Sequence, residues 1–302
     1  MSKSALNRLG KKQFRMTNVP LVSFLVYPVA KNWIAGQSIS EAIKYSKLAN
    51  ARGFSVILNY LGEEVDTAKE VQEALTEYEH LLDLLQPNRI VGCISAKLTQ
   101  LGLRMDKDYC TKNLVEMVSH ASRLGRFVWI DMESSKFADD TIRIYEKAFS
   151  RSKNIGICIQ SYLRRSEHDI EKLLRIDGKI RLVKGAYNEP TTIAYKSRKE
   201  IDKNYAKLMV RLFKDSKSLF SVATHDDRLV YEAVRLSKEH AKNFEFAFLK
   251  GIRDNLKLRL LNKGYRVTEY VPYGQNWLPY SVRRLREKPS NFLLLGRSLL
   301  GK

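Results

Sequence analysis

A chain of 302 residues, 44% apolar and 28% charged, has room for two average domains or for one α/β barrel, and its composition is that of a folded protein. No low-complexity tract and no Pro- or Gly-rich linker divides it, so one domain behind a short arm is the economical reading. The formal net charge of +20 favours anionic partners of some kind, such as nucleic acid, anionic lipid or acidic metabolites.

Residues 1–20 carry Lys3, Arg8, Lys11, Lys12 and Arg15 and no acid. Val19 to Ala30 is apolar behind this basic start, but it is too short to span a bilayer and Pro20 and Pro28 break it. It reads as an arm packed on the body, with neither export nor a membrane anchor expected. Ser38 caps a helix that ends at Gly53, and a β-rich run follows from Phe54 to Leu61. Thr67 to Leu85 is an amphipathic helix stopped by Pro87.

From there strands and helices alternate. Strands are expected at Ile90–Lys97, Phe127–Asp131, Ile155–Gln160, Ile180–Lys184, Leu219–Thr224, Phe244–Leu249 and Arg266–Val271. The helices between them are expected at Lys107–Leu124, Asp139–Phe149, His168–Leu174, Arg198–Phe213, Arg228–His240 and Asn255–Leu261, with a last one at Pro279–Glu287. Counting Phe54–Leu61 first, eight strand–helix units predict an α/β fold of the (β/α)8 TIM-type barrel kind, with parallel strands. No Gly-x-Gly-x-x-Gly turn follows the first strand, which speaks against a doubly wound open sheet. Residues 1–37 form an N-terminal helical arm in this reading, and residues 38–302 form the barrel.

Chemistry in a barrel sits at the C-terminal ends of the strands. The stretch from Arg181 to Pro190 shows the pattern best: an apolar strand runs into Lys184, Gly185, Ala186 and Tyr187. It supplies a cation, a close backbone approach and an aromatic wall. Other strand ends are polar too, at Lys97, Asp131, Gln160, Thr224-His225-Asp226, Lys250 and Tyr270. On the last helix Tyr280, Arg283, Arg284 and Glu287 stand at i, i+3, i+4 and i+7 and share a face. Two adjacent Arg beside a Tyr suit the grip of a carboxylate. Cys93, Cys110 and Cys158 are odd in number and widely spaced, which fits free thiols in a reducing, cytoplasmic compartment. The five His have no metal-ligand spacing, and no metal is expected.

Seven stretches, in order, carry a resemblance. They are Ile94–Leu103, Trp129–Glu133, Arg181–Tyr187, Ala223–Asp226, Gly251–Arg253, Gly264–Val267, and Tyr270–Gly274 running on to Pro279–Arg284. In these the chain resembles the proline dehydrogenase family, in its short monofunctional bacterial and archaeal form. The resemblance covers the chain from about residue 35 to its end. It implies a distorted barrel that binds a flavin at its C-terminal rim, FAD with FMN left open. It also implies oxidation of L-proline to Δ1-pyrroline-5-carboxylate, with electrons passed to a quinone in the membrane. Carried over position by position, Tyr280, Arg283 and Arg284 take the proline carboxylate. Lys97, Asp131, Tyr187, Leu249 and Tyr270 form the substrate pocket, with Lys97, Asp131 and Tyr270 its catalytic members and Leu182 an apolar lining. Gln160, Arg181, Lys184, Gly185, Ala186, Thr224 and His225 fall where the family contacts its flavin. The chain departs from the family at Ala247, Lys250 and Asn188.

Two other readings start from the residues themselves. Lys97 or Lys184 at a strand end suits a Schiff base, as in an aldolase-type lyase. The net charge suits nucleic acid, but no basic helix interleaved with aromatics and no zinc-finger spacing appears, so that is the weaker inference and no nucleic acid is expected. The basic excess is expected instead to bring the protein to anionic membrane, near quinone.

Overall fold

In a computed structural model, which describes residues 26–287 apart from Glu63 and Ala241, several helices begin at a side-chain cap that the sequence supplies. Helix α1 (Ile39–Ala51) starts at a reciprocal pair. Ser38 Oγ accepts from the Glu41 backbone at 3.3 Å, and the Glu41 carboxylate accepts from the Ser38 backbone at 3.2 Å. Gly53 takes φ +87° and turns the chain into β1 (Ser55–Tyr60). Thr67 and Glu70 repeat the reciprocal cap on α2 (Ala68–Leu85), and Asp106 caps α3 (Lys107–Arg123).

Between and after these run β2 (Gly92–Lys97), β3 (Val128–Asp131), α4 (Ala138–Arg151), β4 (Ile155–Gln160), α5 (Ser166–Arg175) and β5 (Ile180–Val183). Then come α6 (Arg198–Asp215), β6 (Phe220–Ala223), α7 (Asp227–Glu239), β7 (Phe244–Leu249), α8 (Asp254–Asn262), β8 (Val267–Tyr273) and α9 (Trp277–Glu287).

The described residues fall into two units, residues 33–276 and a second made of residues 26–32 with 277–287. In the first, eight strands close into a barrel in sequence order, every pair parallel. Ile57 lies opposite Tyr270 where β1 meets β8. Element ends differ from the sequence expectation by a few residues at most. Strand β8 runs on to Tyr273 because Pro272 and Tyr273 keep pairing with Asn59 and Tyr60 of β1.

Alternation along the strands divides the side chains. Val56, Ile94, Ile130, Ile157, Leu182 and Phe246 belong to the apolar core packed against the helices. The residues between them face the lumen, and there the expectation of apolar strand interiors fails: Asn59, Ser95, Cys158 and Arg181 meet one another or Asp131 inside the barrel. The helix layer includes a fully buried ionic group. Glu269 on β8 is fully buried, pairs with the equally buried Lys257 of α8, and accepts from Tyr45 Oη of α1 at 2.7 Å. Two helices are thereby tied to one strand.

In the second unit residues 26–30 are helical and the Tyr27 ring lies 5.0 Å from that of Trp277. Helix α9 begins two residues before Pro279, leaving the proline in the first turn, where its missing N–H costs no helical bond. The Tyr280 ring has the Arg284 and Arg283 guanidiniums at 5.4 and 5.8 Å, so the expected shared face forms. The Glu287 side chain and most of the basic arm lie outside the described residues.

Breaking the buried Lys257–Glu269 pair leaves Lys257 with one carboxylate, the partly exposed Asp254 at 2.6 Å. Glu269→Leu is expected to cost about 1.5–3 kcal/mol in urea unfolding, the worth of a charged hydrogen bond, and Lys257→Met on top of it to recover part of that loss. A single Glu269→Leu within 1 kcal/mol of wild type, as for a surface pair, contradicts the assignment.

Candidate active site

The C-terminal half of the lumen is built around one buried ion pair. Arg181, 3% exposed, donates from Nη2 to Asp131 Oδ1 at 2.5 Å and to Ser95 Oγ at 2.9 Å, and from Nε to Cys158 Sγ at 2.8 Å. Its guanidinium carbon lies 5.0 Å from the Trp129 ring and 5.4 Å from the Tyr270 ring. The other Asp131 oxygen accepts from Tyr270 Oη at 2.6 Å and has Lys97 Nζ at 3.7 Å. Lys97 also reaches Asn59 Oδ1 at 3.4 Å. Burial would raise the Asp131 carboxyl, but Arg181 and Lys97, with the bonds from Tyr270 and Ser95, hold it below its ordinary value. Asp131 is therefore a carboxylate at neutral pH, and the lumen presents charge where a barrel ordinarily packs Val, Ile and Leu.

A second cluster sits at the ends of β5 and β6. Lys184 pairs with Asp202 of α6 and with Asp226, 3.2 Å away. Arg198 reaches Asp226 at 3.2 Å and Arg228 reaches Asp202 at 3.1 Å, both from exposed positions. Asp226 also caps α7, accepting from the Arg228 backbone at 3.1 Å. Burial pushes its carboxyl up, and the bonds from Arg198, Lys184 and Arg228 bring it well below the usual carboxylate range. Gly185 takes φ +107°, and a Cβ there would sit 2.2 Å from the Tyr162 ring, so backbone and packing both require glycine.

The other expected residues of the barrel unit lie at the same strand ends. Gln160, 3% exposed, donates from Nε2 to Met132 O at 3.1 Å, while its buried Oε1 meets no partner among the described residues. Arg181 Nη1 is in the same condition. His225 Nε2 accepts from the Leu249 backbone at 3.0 Å, joining the ends of β6 and β7, and Thr224 Oγ1 accepts from the Asp226 backbone at 3.3 Å. Tyr187 packs beside Tyr162 and Leu163, and Ala186 is exposed.

Leu182 does not join them. Arg181 occupies the lumen, so the next residue points to the helices, where Leu182 is fully buried in the apolar core. Its assignment as a pocket lining is corrected by strand alternation. Sequence reasoning also passed over Ser95 and Cys158, although each stands two residues before a chosen lumen residue, Lys97 or Gln160, and so on the same face. Asp202 gave no signal, because nothing in the helix says which strand end it will meet.

The sequence model of the proline dehydrogenase family matches residues 42–293. The chain belongs to the proline dehydrogenase family. It is 33% identical over 276 residues to proline dehydrogenase 1 of Bacillus subtilis subsp. natto, covering 90% of this chain and 91% of that one. It is 32% identical over 283 residues to the proline dehydrogenase of Deinococcus radiodurans, covering 91% of each. Among solved structures it is similar to proline utilization A from Bdellovibrio bacteriovorus inactivated by N-propargylglycine, with a TM-score of 0.79 and 24% identity. That match covers 86% of this chain and 32% of the longer one, so the chain spans about a third of it, and the likeness is one of fold. The family's eight-strand barrel is the architecture observed.

Removing the Asp131 charge strands Arg181. Asp131→Asn is expected to cost about 3–5 kcal/mol of stability at pH 7. The carboxyl is depressed in the fold, so its contribution is complete above the unfolded value of 3.8 and is lost as pH falls further. Urea unfolding of both proteins should therefore show the gap narrowing between pH 7 and about pH 3. A gap that widens on acidification contradicts the ion pair.

Proposed function

We propose that the protein is a flavin-dependent proline dehydrogenase, oxidising L-proline to Δ1-pyrroline-5-carboxylate and passing the electrons to a quinone. Family membership over most of the chain supports the dehydrogenase. The observation that supports the flavin is a pair of buried polar atoms on the neighbouring strands β4 and β5, Gln160 Oε1 and Arg181 Nη1, that meet no partner among the described residues. A buried acceptor and a buried donor left unsatisfied are costly unless a polar ligand completes them.

Gln160, Arg181, Lys184, Gly185, Ala186, Thr224 and His225 would hold the flavin, with FAD favoured and FMN the alternative. Bound there, the flavin supplies a two-electron acceptor for the hydride of the proline ring carbon. The chain's own residues bind and orient. Tyr280, Arg283 and Arg284 take the proline carboxylate, a contact that guanidiniums make with two parallel bonds. Lys97, Tyr187, Leu249 and Tyr270 shape the ring end. Asp131, held as a carboxylate by two cations, is a weak base, so its part is to fix Arg181, Lys97 and the Tyr270 hydroxyl. Residues 1–37 serve as an arm and residues 38–302 as the catalytic domain in this proposal.

The geometry does not favour the lyase reading. Lys97 and Lys184 both lie in ion pairs with carboxylates, whereas a Schiff-base lysine has to act as a free amine. Among the described residues no cluster of His, Cys, Asp and Glu suits a metal ion, and no helix is long and apolar enough to cross a membrane. The electron transfer is placed at the cytoplasmic face of the membrane, with the basic excess drawing the protein to anionic lipid.

The pure protein is expected to be yellow and to lose that absorbance on anaerobic addition of L-proline. A colourless protein that takes up no added flavin overturns the proposal. Arg284→Lys is expected to raise the KM for proline about tenfold to a hundredfold, the worth of a charged hydrogen bond, with flavin content unchanged. Co-sedimentation with vesicles should rise with anionic lipid content and fall with salt. Binding indifferent to lipid charge removes the membrane part alone.

A further inference from the structure

One of the three groups that fix the Arg181 guanidinium is a thiol. Nε donates to Cys158 Sγ, Nη2 is shared between Asp131 and Ser95, and Nη1 alone meets no partner among the described residues. A guanidinium is a rigid planar fork, so fixing Nε and Nη2 sets the direction of Nη1. The competing arrangement is plain. An Arg facing a carboxylate prefers to close on it with two parallel bonds. Here that closure would turn Nη1 onto Asp131 and away from any ligand.

Cys158 opposes the closure from both sides. Its sulfur accepts from Arg181 Nε at 2.8 Å and lies 3.7 Å from Asp131 Oδ1, to which its S–H can donate. Burial pushes the thiol up to about 12, with Arg181 acting the other way, so it stays protonated at neutral pH and can accept and donate at once. Its place is set by the strand: Cys158 lies opposite Arg181 in the β4–β5 register, and both face the lumen. The side chain is 3% exposed, so no solvent competes for its two contacts.

We propose that Cys158 is a positioning residue, whose thiol holds the Nε edge of Arg181 so that Nη1 stays directed at the electron-accepting edge of the flavin. The inference rests on the flavin reading above. A cation aimed at that edge favours the electron-rich reduced ring and raises its reduction potential. Loss of the aim should lower it.

The test is an equilibrium redox titration of the bound flavin in wild type and variants, with flavin content measured on the same samples. Cys158→Ala should lower the two-electron midpoint potential by about 30 mV, a tenfold shift in the reduction equilibrium. Cys158→Ser, whose hydroxyl also accepts from Nε, should keep the wild-type value. Cys158→Val preserves volume without an acceptor, so it should fall with the Ala variant and takes its place if that one fails to fold. A wild-type potential in the Ala or Val protein overturns the inference while leaving the flavin reading intact, and so does a Ser protein that falls with them. A wild-type protein that takes up no flavin overturns both.

Discussion

A charged pair inside a closed barrel is the constraint on which the rest of the site depends. Arg181 and Asp131 sit where water does not reach freely, and taking two charges out of water costs several kcal/mol per ion. The lumen offsets this with a full set of partners: Ser95 and Cys158 on one edge, Lys97 and the Tyr270 hydroxyl on the other, and two aromatic rings beside the guanidinium. The partners come from four strands, β2, β3, β4 and β8. The arrangement therefore exists only when the barrel is closed and in register, since a one-residue slip of any strand would send its polar side chain into the helix layer.

Stability and chemistry are divided between the two faces of the sheet. The helix-facing positions carry the large apolar core, and Lys257 with Glu269 is the exception that ties α1 and α8 to β8. The lumen carries polar groups and gives up the dense aliphatic packing usual in barrels. At the rim, Lys184 is flanked by Asp202 and Asp226, and those carboxylates are met from outside by Arg198 and Arg228. Asp226 also starts α7, so the placement of a helix and the charge balance of the rim hang on one side chain.

Ala247, Lys250 and Asn188, the expected departures from the family pattern, separate on the same geometry. Ala247 lies opposite Ala223 and Thr268 on β7, two positions before the lumen residue Leu249, and so faces inward. Lys250 points the other way, 4.5 Å over the Tyr45 ring, where burial lowers its ammonium to about 8. Asn188 is exposed and bonded by Lys196 at 3.2 Å. Among the three, Ala247 is the one that faces the lumen.

Local chemistry made the elements legible from the amino-acid sequence. Ser38 with Glu41 and Thr67 with Glu70 announce helices, Gly53 and Pro87 end them, and eight apolar runs ending in polar groups announce a barrel with its business end. Family motifs then pointed to the rim residues. What the chain order cannot express is which side chains meet across the lumen. Lys97 and Asp131 are expected in one pocket, yet the closest cation to Asp131 among the described residues is Arg181, fifty positions away and expected at the flavin. Ser95 and Cys158 look like ordinary strand residues until curvature and register bring them to the same guanidinium. Leu182, expected in the pocket, belongs to the other face because its neighbour has taken the lumen. Alternation is written locally, but only closure of the barrel decides which of the two faces is inside.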